Sequence, residues 1–214
     1  GGGIWDTVTQ TRKSSLEELT KSTIKRANRH LKNGTTTIEV KSGYGLTVSE
    51  ELKMLRAIRE ANEKALPELI STCLAAHMLP KDFEGSDTIS VALPGASIGL
   101  GCDFTPARKL LDAGAALAIA SDHNPGSAPM GDLLTQANIL GTFQKLTNAE
   151  VLAGITFRAA AALKLNDRGK LEAGLLADLV VFHSDNYQDI LYNQGNLKPC
   201  MIWKSGALVF DRHK

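Results

Sequence analysis

The feature that most constrains the fold is a short apolar run that ends at polar residues and a turn. Residues 115–120 are small and apolar, which is typical of a strand buried on both faces of a parallel sheet. The run stops at Asp122, and residues 124–126 (Asn-Pro-Gly) then turn the chain. An Asp at the carboxyl end of a buried parallel strand lies where α/β barrels build their active sites. Asp122 is therefore a candidate functional residue, although an Asp can also cap a turn.

The chain before this run alternates helical and strand-like patterns. Capping boxes at residues 14–17 and 47–50 each open a segment whose apolar residues follow a helical period. The alternation predicts an α/β domain with parallel strands. One strand carries Glu39 and Lys41 on a single face, which fits either a functional strand or a salt-bridged edge strand. The predicted parallel strands cover residues 35–41, 69–76, 89–93 and 115–120.

The pattern changes near residue 166. Before it, we predict a glycine-rich loop over residues 95–101, a helix over 131–145, and an alanine-rich helix from a third capping box at 147–150 to about 165. After it come a strand at 177–182 and a hairpin over 201–210. We therefore predict two parts: residues 1–165 as a (β/α) barrel portion and residues 166–214 as a small β-domain portion.

Composition limits the classes of partner. A net charge of +1 gives no support to nucleic-acid binding. No apolar run approaches the roughly 18 residues that a membrane helix needs, and the start of the chain lacks the features of a signal peptide. Three widely spaced cysteines favour reduced thiols over a disulfide framework. We expect a cytoplasmic protein that acts on a small molecule.

Polar side chains follow several of the predicted strands. Tyr44, His77 and Asp122 stand at the carboxyl ends of three strands, and Asn124 lies just beyond the last. A barrel brings such ends together at one mouth, where His and Asp can move protons and Tyr and Asn can orient a substrate. Each residue also has a structural interpretation, since Tyr44 can fill a turn between glycines and His77 can be a hydrogen-bonded histidine at a strand end.

Short segments along the chain together form a recognisable order. The segments are 1–4 (GGGI), 39–46 (EVKSGYGL), 51–56 (ELKMLR), 76–77 (AH), 93–96 (LPGA), 106–108 (PAR), 122–127 (DHNPGS), 169–174 (GKLEAG) and 177–179 (ADL). In this order they resemble the imidazolonepropionase family of the amidohydrolase superfamily. Residues 41–46 and 122–126 are the most specific parts, and the last two segments are typical of the superfamily only.

The resemblance implies a reaction and a set of roles. Members of the family hydrolyse the lactam ring of 4-imidazolone-5-propanoate to N-formimidoyl-L-glutamate, in the third step of histidine degradation, with one divalent metal, zinc or iron. By resemblance, Asp122 is the metal-binding aspartate and passes a proton from the metal-bound water. Tyr44 and His77 resemble substrate-contacting residues, with His77 polarising the attacked carbonyl, and Asn124 resembles a residue that recognises the substrate.

The sequence also departs from the family. The His-x-His pair of the first barrel strand does not occur, and only residues 78–92 lie where a further strand with a histidine ligand would be. His123 is no replacement, because it follows Asp122 directly and adjacent side chains on an extended strand point to opposite faces. A full barrel takes about 250 residues.

We therefore expect a chain shortened at its N-terminus and in the middle, forming an incomplete TIM-like (β/α) metallo-hydrolase barrel with a small C-terminal β-sandwich portion. Its open edges would leave apolar surface exposed or covered by a partner, and a homodimer is one such arrangement. The alternative function is that of a non-catalytic fragment or degenerate relative that cannot bind metal.

Overall fold

The computed structural model describes residues 4–74 and 89–213, in two compact units that divide between Glu84 and Gly85. His77, one of the candidate site residues, lies outside the described residues. The first unit contains α1 (Ile4–Lys13), α2 (Leu16–Lys32), β1 (Thr37–Lys41), α3 (Val48–Asn62) and β2 (Glu68–Thr72).

The helices of the first unit begin where side chains cap their free amides. Ser15 and Glu18 form the capping box of α2, one residue later than the sequence pattern suggested. Thr47 caps α3 by accepting a hydrogen bond from the Glu50 amide at 3.3 Å, which is one half of the capping box predicted at residues 47–50; the Glu50 carboxylate pairs with Lys53. Each cap satisfies amides that have no partner within the helix.

The two strands of the first unit pair in parallel, and their faces differ in polarity. β1 and β2 run side by side from Thr37↔Glu68 onwards, which confirms the predicted strand pair. Ile38 and Val40 pack with the apolar residues of α2 and α3. On the opposite face Glu39 pairs with Lys41 and accepts a hydrogen bond from the Thr72 hydroxyl at 2.7 Å. The Glu39–Lys41 ion pair is the contact that the salt-bridged interpretation of this strand predicts.

The second unit has a parallel strand pair, six helices and an antiparallel sheet among its described residues. The predicted strands at 89–93 and 115–120 are confirmed with shorter bounds. The elements are β3 (Ser90–Ala92), α4 (Pro94–Leu100), α5 (Ala107–Asp112), β4 (Leu117–Ile119), α6 (Leu133–Phe143), α7 (Asn148–Ile155), α8 (Phe157–Ala162), β5 (Leu179–Phe182), α9 (Asp189–Tyr192), β6 (Pro199–Lys204) and β7 (Ala207–Asp211).

Strand β4 is the centre of the core of the second unit. It pairs in parallel with β3, and all three of its residues are buried. Leu117 and Ile119 pack with Leu140 of α6 and Val151 of α7. Helix α7 can approach this closely because Gly154 faces Ile119, where a Cβ would lie 3.0 Å from the Ile119 side chain. The apolar run of the sequence is therefore a buried parallel strand, as expected.

Two helical predictions for this unit were wrong in detail. The helix expected from 147 to about 165 is two helices, because Thr156 has φ −122° and ψ −106° and separates α7 from α8. The glycine-rich stretch after β3 is not a loop but helix α4, which ends at Gly101 with φ +66°. Local glycine content suggested a loop, but Pro94 at the first position starts the helix and Gly101 stops it.

The C-terminal strands form one antiparallel sheet in the order β5-β6-β7. The predicted hairpin is confirmed: Ser205 and Gly206 both have positive φ, +49° and +80°, as a two-residue hairpin turn requires. The short helix α9 was not predicted. Completion of this sheet into a sandwich, and the domain boundary near residue 166, stay predictions.

The parallel α/β character of the prediction is confirmed, but barrel closure is not. Within residues 4–74 and 89–213, the parallel strands occur as two separate pairs, β1-β2 and β3-β4. All three cysteines are free in the structure. None of the described helices combines the length and the apolar character that a membrane span requires.

Candidate functional site

Asp122 lies just beyond the end of β4, in a backbone conformation that few residues adopt. The strand ends at Ile119, and Asp122 has φ +46°. Asp tolerates this left-handed region better than most residues. The expectation of an extended strand through Asp122 and His123 was therefore wrong, and the argument from opposite faces does not apply. The Nδ1 atom of His123 lies 3.2 Å from the Ala128 carbonyl oxygen.

The loop after Asp122 is held together by the side chain of Asn124. Its Oδ1 accepts hydrogen bonds from the amides of Gly126 (2.9 Å) and Ser127 (2.8 Å). Its Nδ2 donates to the Asp122 carbonyl at 2.6 Å and lies 3.3 Å from Asp122 Oδ2. Both polar atoms of the amide thus have partners inside the loop, and Asn124 fixes the backbone that carries Asp122.

Helix α4 supports the same loop from outside. At Gly99 a Cβ would lie 1.8 Å from the carbonyl oxygen of Ser127, so the helix and the loop are in direct backbone contact. Only glycine allows that approach. The Asp122 loop is therefore fixed by its own Asn124 and by the helix that follows β3.

Tyr44 lies in a second loop, which follows β1 in the first unit. The carboxylate of Glu51, in the first turns of α3, accepts hydrogen bonds from three amides of this loop: those of Gly43 (2.7 Å), Gly45 (2.7 Å) and Leu46 (2.9 Å). A carboxylate with two oxygens can accept several such bonds at once. Glu51 therefore fixes the backbone on both sides of Tyr44.

Burial and hydrogen bonding act on Glu51 in opposite directions. Burial of the side chain would raise the pKa of Glu51, but hydrogen bonds from Ser42, Leu46, Gly43 and Gly45 outweigh it and leave that pKa lowered. The carboxylate is therefore ionised at neutral pH, as an acceptor of several N–H bonds should be.

The structure brings together only some of the predicted site residues. Asp122 and Asn124 are in contact through the loop of the second unit, and Tyr44 belongs to the first unit. Their convergence on one pocket, with His77, stays a prediction, as do the individual roles. The sequence analysis missed Glu51 as an organiser of the Tyr44 loop, because a Glu in the first turns of a helix is common and its contact with the loop depends on tertiary structure.

A metal centre is not formed by the described residues alone. No group of three His, Cys, Asp or Glu side chains within residues 4–74 and 89–213 is placed to hold an ion. Catalytic metal sites usually have three protein ligands. Asp122 is thus the only predicted ligand for which the structure gives a position.

Comparison with known proteins identifies the family. The Amidohydrolase family model matches residues 6–209. The chain belongs to this family of hydrolases.

Several relatives carry the name that the sequence motifs suggested. An imidazolonepropionase of Alkaliphilus oremlandii is 27% identical over 99% of this chain and 73% of its own length. Those of Acinetobacter baumannii and Pseudomonas aeruginosa are each 30% identical over 98% of this chain and 76% of their own lengths. The first alignment runs over 308 positions, 94 more than the 214 residues of this chain. The excess agrees with the expected shortening.

Solved structures support the fold. A triazine hydrolase variant aligns with a TM-score of 0.61 at 11% identity, covering 99% of this chain and 81% of its own. The atrazine chlorohydrolase of Arthrobacter aurescens TC1, solved in complex with zinc, aligns with a TM-score of 0.53 at 15% identity, covering 84% of this chain and 45% of its own. At these identities the likeness concerns the fold alone.

Proposed function

We propose that this chain is an imidazolonepropionase-type hydrolase, which opens the lactam ring of 4-imidazolone-5-propanoate to N-formimidoyl-L-glutamate. The observation that carries the proposal is the similarity to imidazolonepropionases along nearly the whole chain, at 30% identity over 98% of its residues. The substrate is a small molecule, and the reaction belongs to histidine degradation. A cytoplasmic location and a homodimer belong to the same proposal.

The roles proposed for the residues follow the motifs. Asp122 lies just beyond the carboxyl end of buried β4, where its carboxylate would take a proton from the attacking water. Tyr44, in the loop held by Glu51, donates a hydrogen bond to the substrate. His77 polarises the carbonyl under attack. Asn124 holds the Asp122 loop through the hydrogen bonds of its side chain. In the proposed role its side-chain amide would also contact the substrate.

The family implies one divalent metal, zinc or iron, with Asp122 among its ligands. Such an ion would make hydroxide available near neutral pH. The described residues do not fit a complete metal centre, because they contain no group of three potential ligands.

That same observation favours a second function. A chain that keeps the scaffold but cannot hold a metal would be a non-catalytic relative of the enzyme. Its loops would remain ordered, because Glu51 and Asn124 act through hydrogen bonds that require no ion.

Metal content and turnover separate the two functions. The purified chain is dialysed against zinc or ferrous ion, its bound metal is measured, and loss of the ultraviolet absorbance of the imidazolone ring is followed. About one equivalent of metal with turnover supports the hydrolase, and Asp122→Asn should then lower the rate by several orders of magnitude. Near-zero metal and no turnover support the non-catalytic relative. Unchanged turnover in Asp122→Asn would reject the role given to Asp122.

A further inference from the structure

The amides of the Tyr44 loop are held by one carboxylate. Three loop positions around Tyr44 (43, 45 and 46) donate their amide hydrogens to the carboxylate of Glu51. Ser42, which is 1% exposed, begins the loop, and its hydroxyl also bonds to Glu51. The amides of residues 43, 45 and 46 thus point inward to one acceptor instead of to solvent.

The backbone of the loop is compatible with few other arrangements. Gly43 has φ +123° and Leu46 has φ +56°, so the chain is left-handed on both sides of Tyr44. A Cβ at Gly45 would lie 2.6 Å from the Glu51 amide nitrogen, so the loop lies directly on the first turns of α3. A branched residue such as Leu rarely adopts positive φ unless surrounding contacts impose it. Here the contact is the hydrogen bond from its amide to Glu51.

A second side chain holds the loop from the outer side. The Arg12 Nε atom donates a hydrogen bond to the Gly45 carbonyl oxygen at 2.7 Å. Lys53 joins the same region, since it donates to the carbonyl oxygens of Arg12 (3.1 Å) and Ser14 (3.0 Å). Gly45, the residue after Tyr44, is thus hydrogen-bonded through both its N–H and its C=O, and this fixes the backbone next to Tyr44.

We propose that Glu51 is a positioning residue: by binding the amides of Gly43, Gly45 and Leu46, it sets the place of the Tyr44 side chain at the end of β1. The consequence for the substrate rests on the proposed function. A hydroxyl contributes to binding or catalysis only if it is held within a fraction of an ångström of its productive place. Glu51 does not contact the substrate and acts through Tyr44.

Hydrogen exchange on the whole chain tests the contact. In Glu51→Gln one carboxylate oxygen becomes an NH₂ group, which cannot accept a hydrogen bond. We expect the amide of Gly43, or those of Gly45 and Leu46, to exchange about tenfold faster or more, since a bond to a charged group is lost. Exchange at these amides that is unchanged from the wild type would overturn the proposal.

Two control variants separate loop effects from a general loss of stability. Glu17→Gln makes the same chemical change in the first turn of α2, where the exposed carboxylate pairs with Lys21 at 2.7 Å. Asn62→Ala, at the opposite end of α3 from Glu51, removes the bond that the Leu69 amide donates to the Asn62 side chain at 2.7 Å and so lowers the general stability of the unit. Neither should accelerate exchange selectively at residues 43–46. Equal acceleration in all three variants would show that Glu51 is merely structural.

The tyrosine itself gives a second readout. The chain has three tyrosines, so 3-fluorotyrosine labelling yields three fluorine signals, which Tyr→Phe variants assign. Glu51→Gln should shift or broaden the Tyr44 signal and leave those of Tyr187 and Tyr192 unchanged. A Tyr44 signal that keeps its position and width in Glu51→Gln contradicts the positioning role.

A double-mutant cycle connects the loop to the ligand. The probe is 3-(imidazol-4-yl)propanoate, an imidazole with the propanoate chain, and its dissociation constant is measured calorimetrically. If Glu51 acts through Tyr44, then Glu51→Gln weakens binding in the wild type but adds little in a Tyr44→Phe background. Additive losses would overturn the proposal. A wild type that binds no probe counts against the proposed function, while exchange and fluorine signals still decide whether Glu51 positions Tyr44.

Discussion

Replacement of Asn124 by Ala tests whether this residue builds the Asp122 loop. The side chain accepts bonds from the amides of Gly126 (2.9 Å) and Ser127 (2.8 Å) and donates to the Asp122 carbonyl at 2.6 Å. Each such bond contributes about 1 kcal/mol. Gly126 is exposed, so water can replace its lost partner. Loss of all three bonds without replacement would lower the free energy of unfolding by about 3 kcal/mol. Because water replaces one of them, we expect it to fall by about 2 kcal/mol.

Urea unfolding of the chain, followed by circular dichroism, measures this loss, and hydrogen exchange locates it. The Ser127 amide should exchange faster in Asn124→Ala. The matched control is Asn193→Ala, an exposed Asn of the same unit with one side-chain bond, to the Asp189 carbonyl at 2.9 Å. It should cost less than about 1 kcal/mol. If Asn124→Ala changed the free energy of unfolding no more than Asn193→Ala and left exchange at Ser127 unaltered, the loop would not depend on Asn124.

Three further predictions concern packing and pH. Gly99→Ala places a Cβ 1.8 Å from the Ser127 carbonyl oxygen and should lower the free energy of unfolding by about 3 kcal/mol or more. The control Gly101→Ala has open space around the new Cβ and should lower it by about 1 kcal/mol, because of the positive φ alone. Leu140→Ala, in the fully buried core, should cost about 2–5 kcal/mol by thermal or urea unfolding. The pKa of Glu51 is lowered in the folded chain, so the stability that its ionised carboxylate contributes is present above its ordinary pKa of 4.5 and is lost as pH falls through the lowered pKa. The difference in unfolding free energy between the wild type and Glu51→Gln should therefore shrink on acidification below pH 4.5. A difference that stayed constant or grew over that acid range would refute this.

The strands were predictable because their signals are local. Small apolar residues at 115–120 and β-branched residues at 35–41 are typical of strands. Strands β4 and β1 lie within these two ranges. The hairpin of β6 and β7 was equally clear, since Ser205-Gly206 can supply the positive φ values of the turn. Composition and periodicity therefore determine most of the element order.

The helix errors have a different origin. The sequence from Thr147 to Leu165 favours a helix throughout, yet the chain bends at Thr156. A Cβ added at Gly169 would lie 2.6 Å from the Cα atom of Phe157. The start of α8 is therefore packed against the turn at Gly169, which follows α8 in the chain. Such contacts are not visible in the local pattern of the residues that bend.

The candidate site shows the same difference between local sequence signals and tertiary contacts. The sequence predicted Tyr44 and Asp122 as candidate residues because they follow predicted strands. It did not predict Glu51 or the loop role of Asn124, because each acts through backbone amides that only the folded chain presents. Each loop is held by one side chain that accepts several N–H bonds: Glu51 in the Tyr44 loop and Asn124 in the Asp122 loop. A side chain of this kind orders the backbone around a candidate residue without being one itself. Motif comparison selects the residue at the strand end, and the folded chain shows which neighbour holds that residue in place.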